Sequence, residues 1–292
     1  MKTNIIFFLS PNVTGAERVT ITLAKTMDLE KYDVKFSIVG NSCGDIVHYI
    51  PKSYHIDIID QEEIYPYIQT ESPDIIFCSL IDLNPFVQDA AQKVGNIKIV
   101  LRNNYKLKDV HSDICQKAMR AYQRADMVIA QTDEMKQELI ETFKLDPEKV
   151  LVIENPVDKE YIDSCIAHTD SPYPNDGKLH FCWVGRYDWI KGPDLLVVYF
   201  AKKRQEDNNI SLYMIGRIDA DNVVYQRLKE QVEVLGLEQD VHMVGFDDNP
   251  YRWMHYSDGL IISSRSEASS NVAREARYLN VPVIIINKDN VV

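Results

Sequence analysis

Short apolar runs alternate with helical patterns along most of this 292-residue chain, and no other feature restricts the fold as much. Ile5–Leu9, Val34–Val39, Asp74–Cys78, Ile97–Leu101, Met127–Ala130 and Val150–Ile153 have the length and apolarity of buried strands. Helical patterns fall between several of them, near Gln61–Thr70 and over Pro85–Val94, Ser112–Arg124 and Asp133–Phe143. Strands that alternate with helices build parallel sheets covered on both faces. A second series of strands begins at Leu179 and continues at Ile210, Val241, Gly259 and Val281, with a helix over Val223–Leu235. Between the two series, Ser171–Gly177 is rich in Pro, Asn and Asp and reads as linker. The expected organisation is α/β throughout, with parallel sheets: a domain over 1–158, a linker over 159–177 and a second domain over 178–292. Each domain is long enough to bury its own core.

One unit of the second series is the richest in chemistry. Gly259–Ile262 reads as a strand, Ser263–Glu267 as a polar turn, and Ala268–Leu279 as a helix free of Pro and Gly. Asn280 stops that helix, and Val281–Ile286 is the next buried strand. The helix N-terminus then sits at the carboxyl end of a strand, where open parallel sheets bind ligands. Ser269, Ser270 and Asn271 are small and polar. They leave the first-turn N–H groups uncrowded, and those groups together with the helix dipole attract an anion. Glu267 and Glu275 are eight residues apart, about 12 Å if the whole span is helical. A nucleotide sugar fits that span, with a carboxylate at each end and phosphates between. Spacing alone also allows Glu267 to be a cap and Glu275 a solvated helix residue.

The residues themselves, E-A-S-S-N-V-A-R-E-A, resemble the E-G-F-P-N-V-x-x-E-A signature of family 4 glycosyltransferases. These are retaining sugar transferases of the GT-B type, built from two Rossmann-like domains. Three more segments resemble the family: V-T-G-A-E-R-V-T-I-T-L-A at 13–24, E-N-P-V-D at 154–158, and V-G-R-Y-D-W-I-K-G at 184–192. The resemblance implies that Glu267 contacts the donor sugar and Glu275 the ribose. It places Arg186 and Lys191 at the leaving diphosphate, where fixed cations stabilise charge that grows as the bond breaks. It also assigns donor binding to Gly15, Gly216, Phe246, Ser269, Ser270 and Asn271. The catalytic set is therefore Arg186, Lys191 and Glu267. No general base is assigned, because Val100–Asn104 lacks the histidine that the family often carries there.

The chain departs from the family in several places. Thr14 replaces a glycine, Arg217 stands where Asp is usual, and Ala268, Ser269 and Ser270 replace Gly-Phe-Pro. A left-handed backbone would be costly at Ala268. Family members continue beyond the last strand found here, so the second domain is expected to lack its C-terminal closing elements.

Composition narrows the partners. A formal charge of −12 argues against a general nucleic-acid binder. Five scattered cysteines without a C-x-x-C pair suit reduced thiols. The seven histidines show no H-E-x-x-H spacing, so neither a protein-held metal nor any other cofactor is expected. The apolar start, Ile5–Leu9, is too short for a signal-peptide core. No run approaches the 18 or so apolar residues of a membrane span. The expected location is cytoplasmic, with peripheral attachment at the inner face of the membrane. That attachment is suggested by a local charge of +5 between Lys98 and Arg124. Arg102, Lys106, Lys108, Lys117, Arg120 and Arg124 form either a patch for a phosphate-bearing acceptor or anionic membrane, or a solvated helix face.

The expected function is transfer of a sugar from a nucleoside-diphosphate sugar, UDP favoured, to a glycan or lipid-linked acceptor in surface-polysaccharide biosynthesis. The alternatives are a GT-B-type nucleotide-sugar epimerase and a catalytically weak nucleotide-sugar-binding protein. Sugar transfer separates the first from the expected function, and donor binding without turnover marks the second. A dehydrogenase is disfavoured because no G-x-G-x-x-G follows either first strand.

Overall fold

The structure, a computed structural model, describes residues 2–107, 112–219 and 221–287. Compactness divides the chain between Pro156 and Val157 into two units, each an α/β unit with one parallel sheet.

The first sheet has seven strands in the order β3-β2-β1-β4-β5-β6-β7. Its strands are β1 (Thr3–Leu9), β2 (Tyr32–Val39), β3 (His55–Ile59), β4 (Ile75–Cys78), β5 (Lys98–Arg102), β6 (Met127–Ala130) and β7 (Val150–Val152). The central ones are apolar on both faces because helices cover both. Phe8, Leu9, Phe36, Ile38, Ile76 and Leu101 are all fully buried. β3 escaped the sequence reading. It is an edge strand in which the polar His55 and Asp57 pair with each other and Ile58 is exposed, so it has no continuous buried apolar run. The main helices here are α1 (Gly15–Lys25), α2 (Ile64–Glu71), α3 (Asn84–Val94), α4 (Ser112–Arg124) and α5 (Asp133–Gln137). A turn of π-helix at Glu138–Thr142 prolongs α5.

The second sheet has five strands in the order β10-β9-β8-β11-β12. They are β8 (Leu179–Val184), β9 (Ile210–Ile215), β10 (Val241–Gly245), β11 (Gly259–Ile262) and β12 (Val283–Ile285). Its helices are α6 (Lys159–Ile166), α7 (Pro193–Glu206), α8 (Val223–Val234), α9 (Pro250–His255) and α10 (Asn271–Tyr278). The stretch read as linker is structured within this unit. Asp158 caps α6 by accepting from Tyr161 N, and Ile162 and Tyr173 enter the core beside Trp253 and Leu260. Its Pro and Asn residues mark turns, whereas its apolar residues anchor it.

In both sheets the strand order reverses direction beside the first strand. The reversal lies between β1 and β4 in the first unit and between β8 and β11 in the second. Loops leaving two such strands diverge to opposite faces and open a crevice at their carboxyl ends.

Candidate active site

At the reversal point of the second sheet, the loop after β8 and the turn after β11 are tied together by their backbones. Arg265 N donates to Ile190 O at 2.7 Å. Ser263 Oγ donates to Lys191 O at 2.9 Å and accepts from Trp183 Nε1 at 3.2 Å. Gly192 has φ +62°, and a Cβ there would lie 2.2 Å from Ser263 O. Only glycine allows so close an approach in a left-handed conformation, and this explains the last residue of V-G-R-Y-D-W-I-K-G.

That seam brings Lys191 to Glu267. The ammonium and the carboxylate lie 2.7 Å apart, and each side chain is 28% exposed. Ser264 Oγ donates to the same carboxylate oxygen at 3.0 Å. Asp188 turns the loop by accepting from Lys191 N at 2.8 Å, and it pairs with Arg186 at 3.0 Å. Arg186 is otherwise open, its side chain 73% exposed. On the flank, Arg265 grips Asp194 with both ends of its fork, at 2.8 and 2.5 Å. Burial pushes the Asp194 carboxyl up, but the Arg265 guanidinium outweighs it and holds the group below its ordinary value.

The helix expected from Ala268 begins at Asn271. Ser270 is its N-cap, accepting from Ala273 N at 3.3 Å, so 268–270 remain turn. A capping hydroxyl satisfies a first-turn donor and fixes where a helix can start. Ala268 is not among the residues with positive φ, so alanine there costs no left-handed strain. Asn280 does adopt φ 60° and ends the helical segment. A depression of about 250 Å³ beside the turn is lined by Ser264, Glu267, Ser269, Ser270, Arg274 and Arg277, among others. Glu275 lies elsewhere on α10. Its carboxylate accepts from Tyr251 of α9 at 3.1 Å. With only part of the span helical, the 12 Å estimate for the two glutamates loses its basis.

The other candidates in this unit sit at the ends of β9 and β10. Gly216 N donates to Gly245 O at 2.9 Å, and a Cβ on Gly216 would strike Gly185 O at 1.9 Å. Its role in the fold is close backbone approach. Phe246, after β10, is 64% exposed and carries the Arg217 guanidinium 5.4 Å from its ring centroid. Gly15 belongs to the first unit, where it opens α1. Thr14, in place of a glycine, caps that helix by accepting from Ala16 N.

Family models match both units. One described as Glycosyltransferase Family 4 covers residues 13–161, and one described as Glycosyl transferases group 1 covers 168–292. The chain belongs to glycosyltransferase family 4. An uncharacterized glycosyltransferase of Methanocaldococcus jannaschii is 30% identical over 169 residues, covering 56% of this chain and 40% of that protein. The N-acetylgalactosamine-N,N'-diacetylbacillosaminyl-diphospho-undecaprenol 4-alpha-N-acetylgalactosaminyltransferase of Campylobacter jejuni is 27% identical over 163 residues. That match covers 56% of this chain and 42% of that enzyme. The chain thus spans about two fifths of the length of these curated relatives. Among solved structures, Anabaena HepE in complex with UDP and glucose has a TM-score of 0.81 at 19% identity, covering 96% of this chain and 80% of that one. At that identity the likeness establishes the fold, which is GT-B.

In this family 4 chain the basic stretch of the first unit is not one patch. Arg102 does not belong to the surface: it is fully buried and donates to Ile153 O at 2.9 Å and Asn155 Oδ1 at 2.6 Å. As the last residue of β5 it points into the sheet's carboxyl edge, a register that composition does not show. Arg124 pairs with Asp89 at 2.6 Å, and Lys106 pairs with Glu134 at 3.3 Å. Lys117 and Arg120 are exposed on α4. Lys108 lies outside the described residues. The sequence does not mark Asp188, Asp194, Tyr251 or Arg265 as site residues: the last three act through partners remote in the chain, and Asp188 through a local turn that spacing does not reveal.

Proposed function

We propose that this family 4 chain carries the donor site of a retaining glycosyltransferase that takes a sugar from a nucleoside diphosphate, UDP favoured. The observation that carries the reading is the Lys191–Glu267 pair at 2.7 Å, held half-open at the reversal point beside the first turn of α10. A buried pair would be architecture. A part-exposed pair can exchange partners at modest cost, so that Lys191 meets a phosphate while Glu267 accepts from sugar hydroxyls. Arg186, open on the same loop, supplies a fork for the diphosphate. Ser269, Ser270 and Asn271 bring the first N–H groups of α10 toward the same charge. Glu275 takes the ribose, while Gly216 and Phe246 complete the donor contacts of this unit.

Catalysis on this reading is positioning plus stabilisation of the leaving diphosphate. The cations Arg186 and Lys191 do that work, and no metal is required. The acceptor is a glycan or a pyrophosphate-linked lipid, in surface-polysaccharide assembly at the cytoplasmic face. The name of the Campylobacter relative supports a lipid-linked acceptor. Among the described residues no helix is long and apolar enough to cross a membrane, so contact with such a lipid would be peripheral.

The test is calorimetric titration of UDP and UDP-sugars into the protein and its Glu275→Ala variant. The variant is expected to bind UDP about tenfold more weakly, since a hydrogen bond to a charged group contributes roughly 1.5–3 kcal/mol. Unchanged affinity removes Glu275 from the site, and no binding by the parent protein removes the reading.

A further inference from the structure

Trp189 stands out among the three tryptophans. Trp183 and Trp253 are buried, whereas Trp189 is 61% exposed on the loop that also carries Arg186, Asp188 and Lys191. It is exposed yet held. The Arg265 guanidinium lies 4.7 Å from its ring centroid, and its Nη1 donates to Trp189 O at 2.8 Å. Arg265 is itself fixed by its fork on Asp194 and by its backbone bond to Ile190 O. An indole in water forgoes the burial that stabilises such residues elsewhere. Here the indole is nonetheless held in one place by the bonds that fix the loop beneath it. A flat apolar face supported in this way is preorganised for a ligand.

The carboxylates bonded to the same loop select the ligand. Asp188, adjacent in sequence, and Glu267, two residues past Arg265, are carboxylates and accept hydrogen bonds without donating any. A pyranose ring presents both complements: a face of C–H groups and an equatorial belt of hydroxyl donors. A nucleobase presents fewer donors, and a lipid chain presents none. We propose that Trp189, supported by Arg265 and Asp194, is a stacking platform for a pyranose ring, with Asp188 and Glu267 taking its hydroxyls. This rests on the donor-site reading above and adds a specificity residue to it. The ring is that of the nucleotide-linked sugar or of the glycan that receives it, and the chemistry at Trp189 is the same for both.

Acrylamide quenching of intrinsic fluorescence reads this platform directly, because the other two tryptophans are buried. The protein is titrated with UDP, UDP-glucose, UDP-N-acetylglucosamine and chitotriose, with binding followed in parallel by calorimetry. The expected result is that a sugar-bearing ligand shields Trp189 and UDP does not. Shielding by UDP-sugars alone assigns the donor ring, and shielding by chitotriose assigns the acceptor. Trp189→Ala should weaken the shielding ligand about tenfold, the upper range for a stacked aromatic contact, while Trp189→Phe keeps most of the affinity. Asp194→Ala, which frees Arg265, should fall between them. Equal shielding by UDP overturns the proposal in favour of a nucleobase. Calorimetric binding of UDP-sugars, with Trp189 as quenchable as before in the presence of every sugar-bearing ligand including chitotriose, overturns it and leaves the donor-site reading standing. Absence of any nucleotide binding removes both.

Discussion

The carboxyl edges of the two sheets share one topology and use it in opposite ways. In the first unit the edge is closed by a mostly neutral set of side chains, with one buried arginine, that bond to one another across the strand ends. Thr20 Oγ1 and Ser79 Oγ lie 2.7 Å apart. Asn104 donates to Ser79 O at 2.7 Å, Gln131 to Asn104 at 2.8 Å, and Asn155 to Gln131 at 3.2 Å. Arg102 ends the chain on Asn155 at 2.6 Å. Most of these groups are buried, and a buried network of this kind fixes one arrangement. In the second unit the same edge carries Lys191 and Glu267, charged and part-exposed. The difference is one of exchangeability: bonds sealed from water fix the fold, while charges in contact with water can change partners at modest cost.

The sharpest way to break that comparison is to remove one member from each edge. Lys191→Ala is expected to lower single-turnover sugar transfer by about 10²–10³, the cost of losing one preorganised charge at a developing anion. It should change the melting temperature little, because a part-exposed ion pair contributes only about 0–1 kcal/mol. Asn155→Ala should do the reverse. It strips a partner from Arg102 and one from Gln131, at about 2 kcal/mol for a bond to a charged group. Melting should then fall by roughly 4–8 °C for a unit of about 150 residues. Calorimetric affinity for UDP should stay the same. Loss of UDP affinity in Asn155→Ala, or strong destabilisation in Lys191→Ala, would erase the contrast.

A charged site at the opposite, amino edge of the second sheet sharpens the point. Asp240, just before β10, accepts from Lys178 at 2.8 Å and Arg204 at 2.7 Å, and its side chain is only 8% exposed. Burial pushes its carboxyl up, but the two cations outweigh that and hold it below its ordinary value. Because the folded-state value is depressed, the stabilisation is complete above the unfolded value of about 3.9 and is lost as pH falls through the folded one. Asp240→Asn should therefore cost about 1.5–3 kcal/mol at pH 7. In urea melts the gap between the variant and the parent should close below about pH 4. A gap independent of pH would mean that shape, not charge, holds Asp240 in place.

Most of this architecture was legible in the chain because apolar runs report buried strands directly. β1, β2 and β4 to β12 lie where such runs lie. The edge strand β3 was not legible, since the polar His55 and Asp57 interrupt the pattern. α6 was hidden too, because Pro and Asn nearby signal turns and only the fold shows that Ile162 is buried. At the site, motif spacing located Lys191 and Glu267 without their partnership, which depends on the β8–β11 adjacency. The basic stretch misled for the same reason. A charge count does not know which residue of a strand faces inward, and Arg102 does.

That misreading leaves the smallest effect to be measured. With Arg102 buried, Arg124 on Asp89 and Lys106 on Glu134, the described basic residues of the stretch that face solvent and form no ion pair given above are Lys98, Lys117 and Arg120. Lys117 and Arg120 are three apart on α4 and so share a face. Each well-placed basic residue near an anionic surface contributes roughly 1 kcal/mol, and the charge of −12 on the whole chain opposes it. Co-sedimentation with vesicles containing acidic lipid should therefore be weak, and should fade as salt shortens the screening length to about 8 Å. Lys117→Glu with Arg120→Glu should abolish the part that depends on acidic lipid and leave binding to neutral vesicles unchanged. Equal partition to both kinds of vesicle, or no response to the double variant, makes this face of α4 ordinary solvated surface.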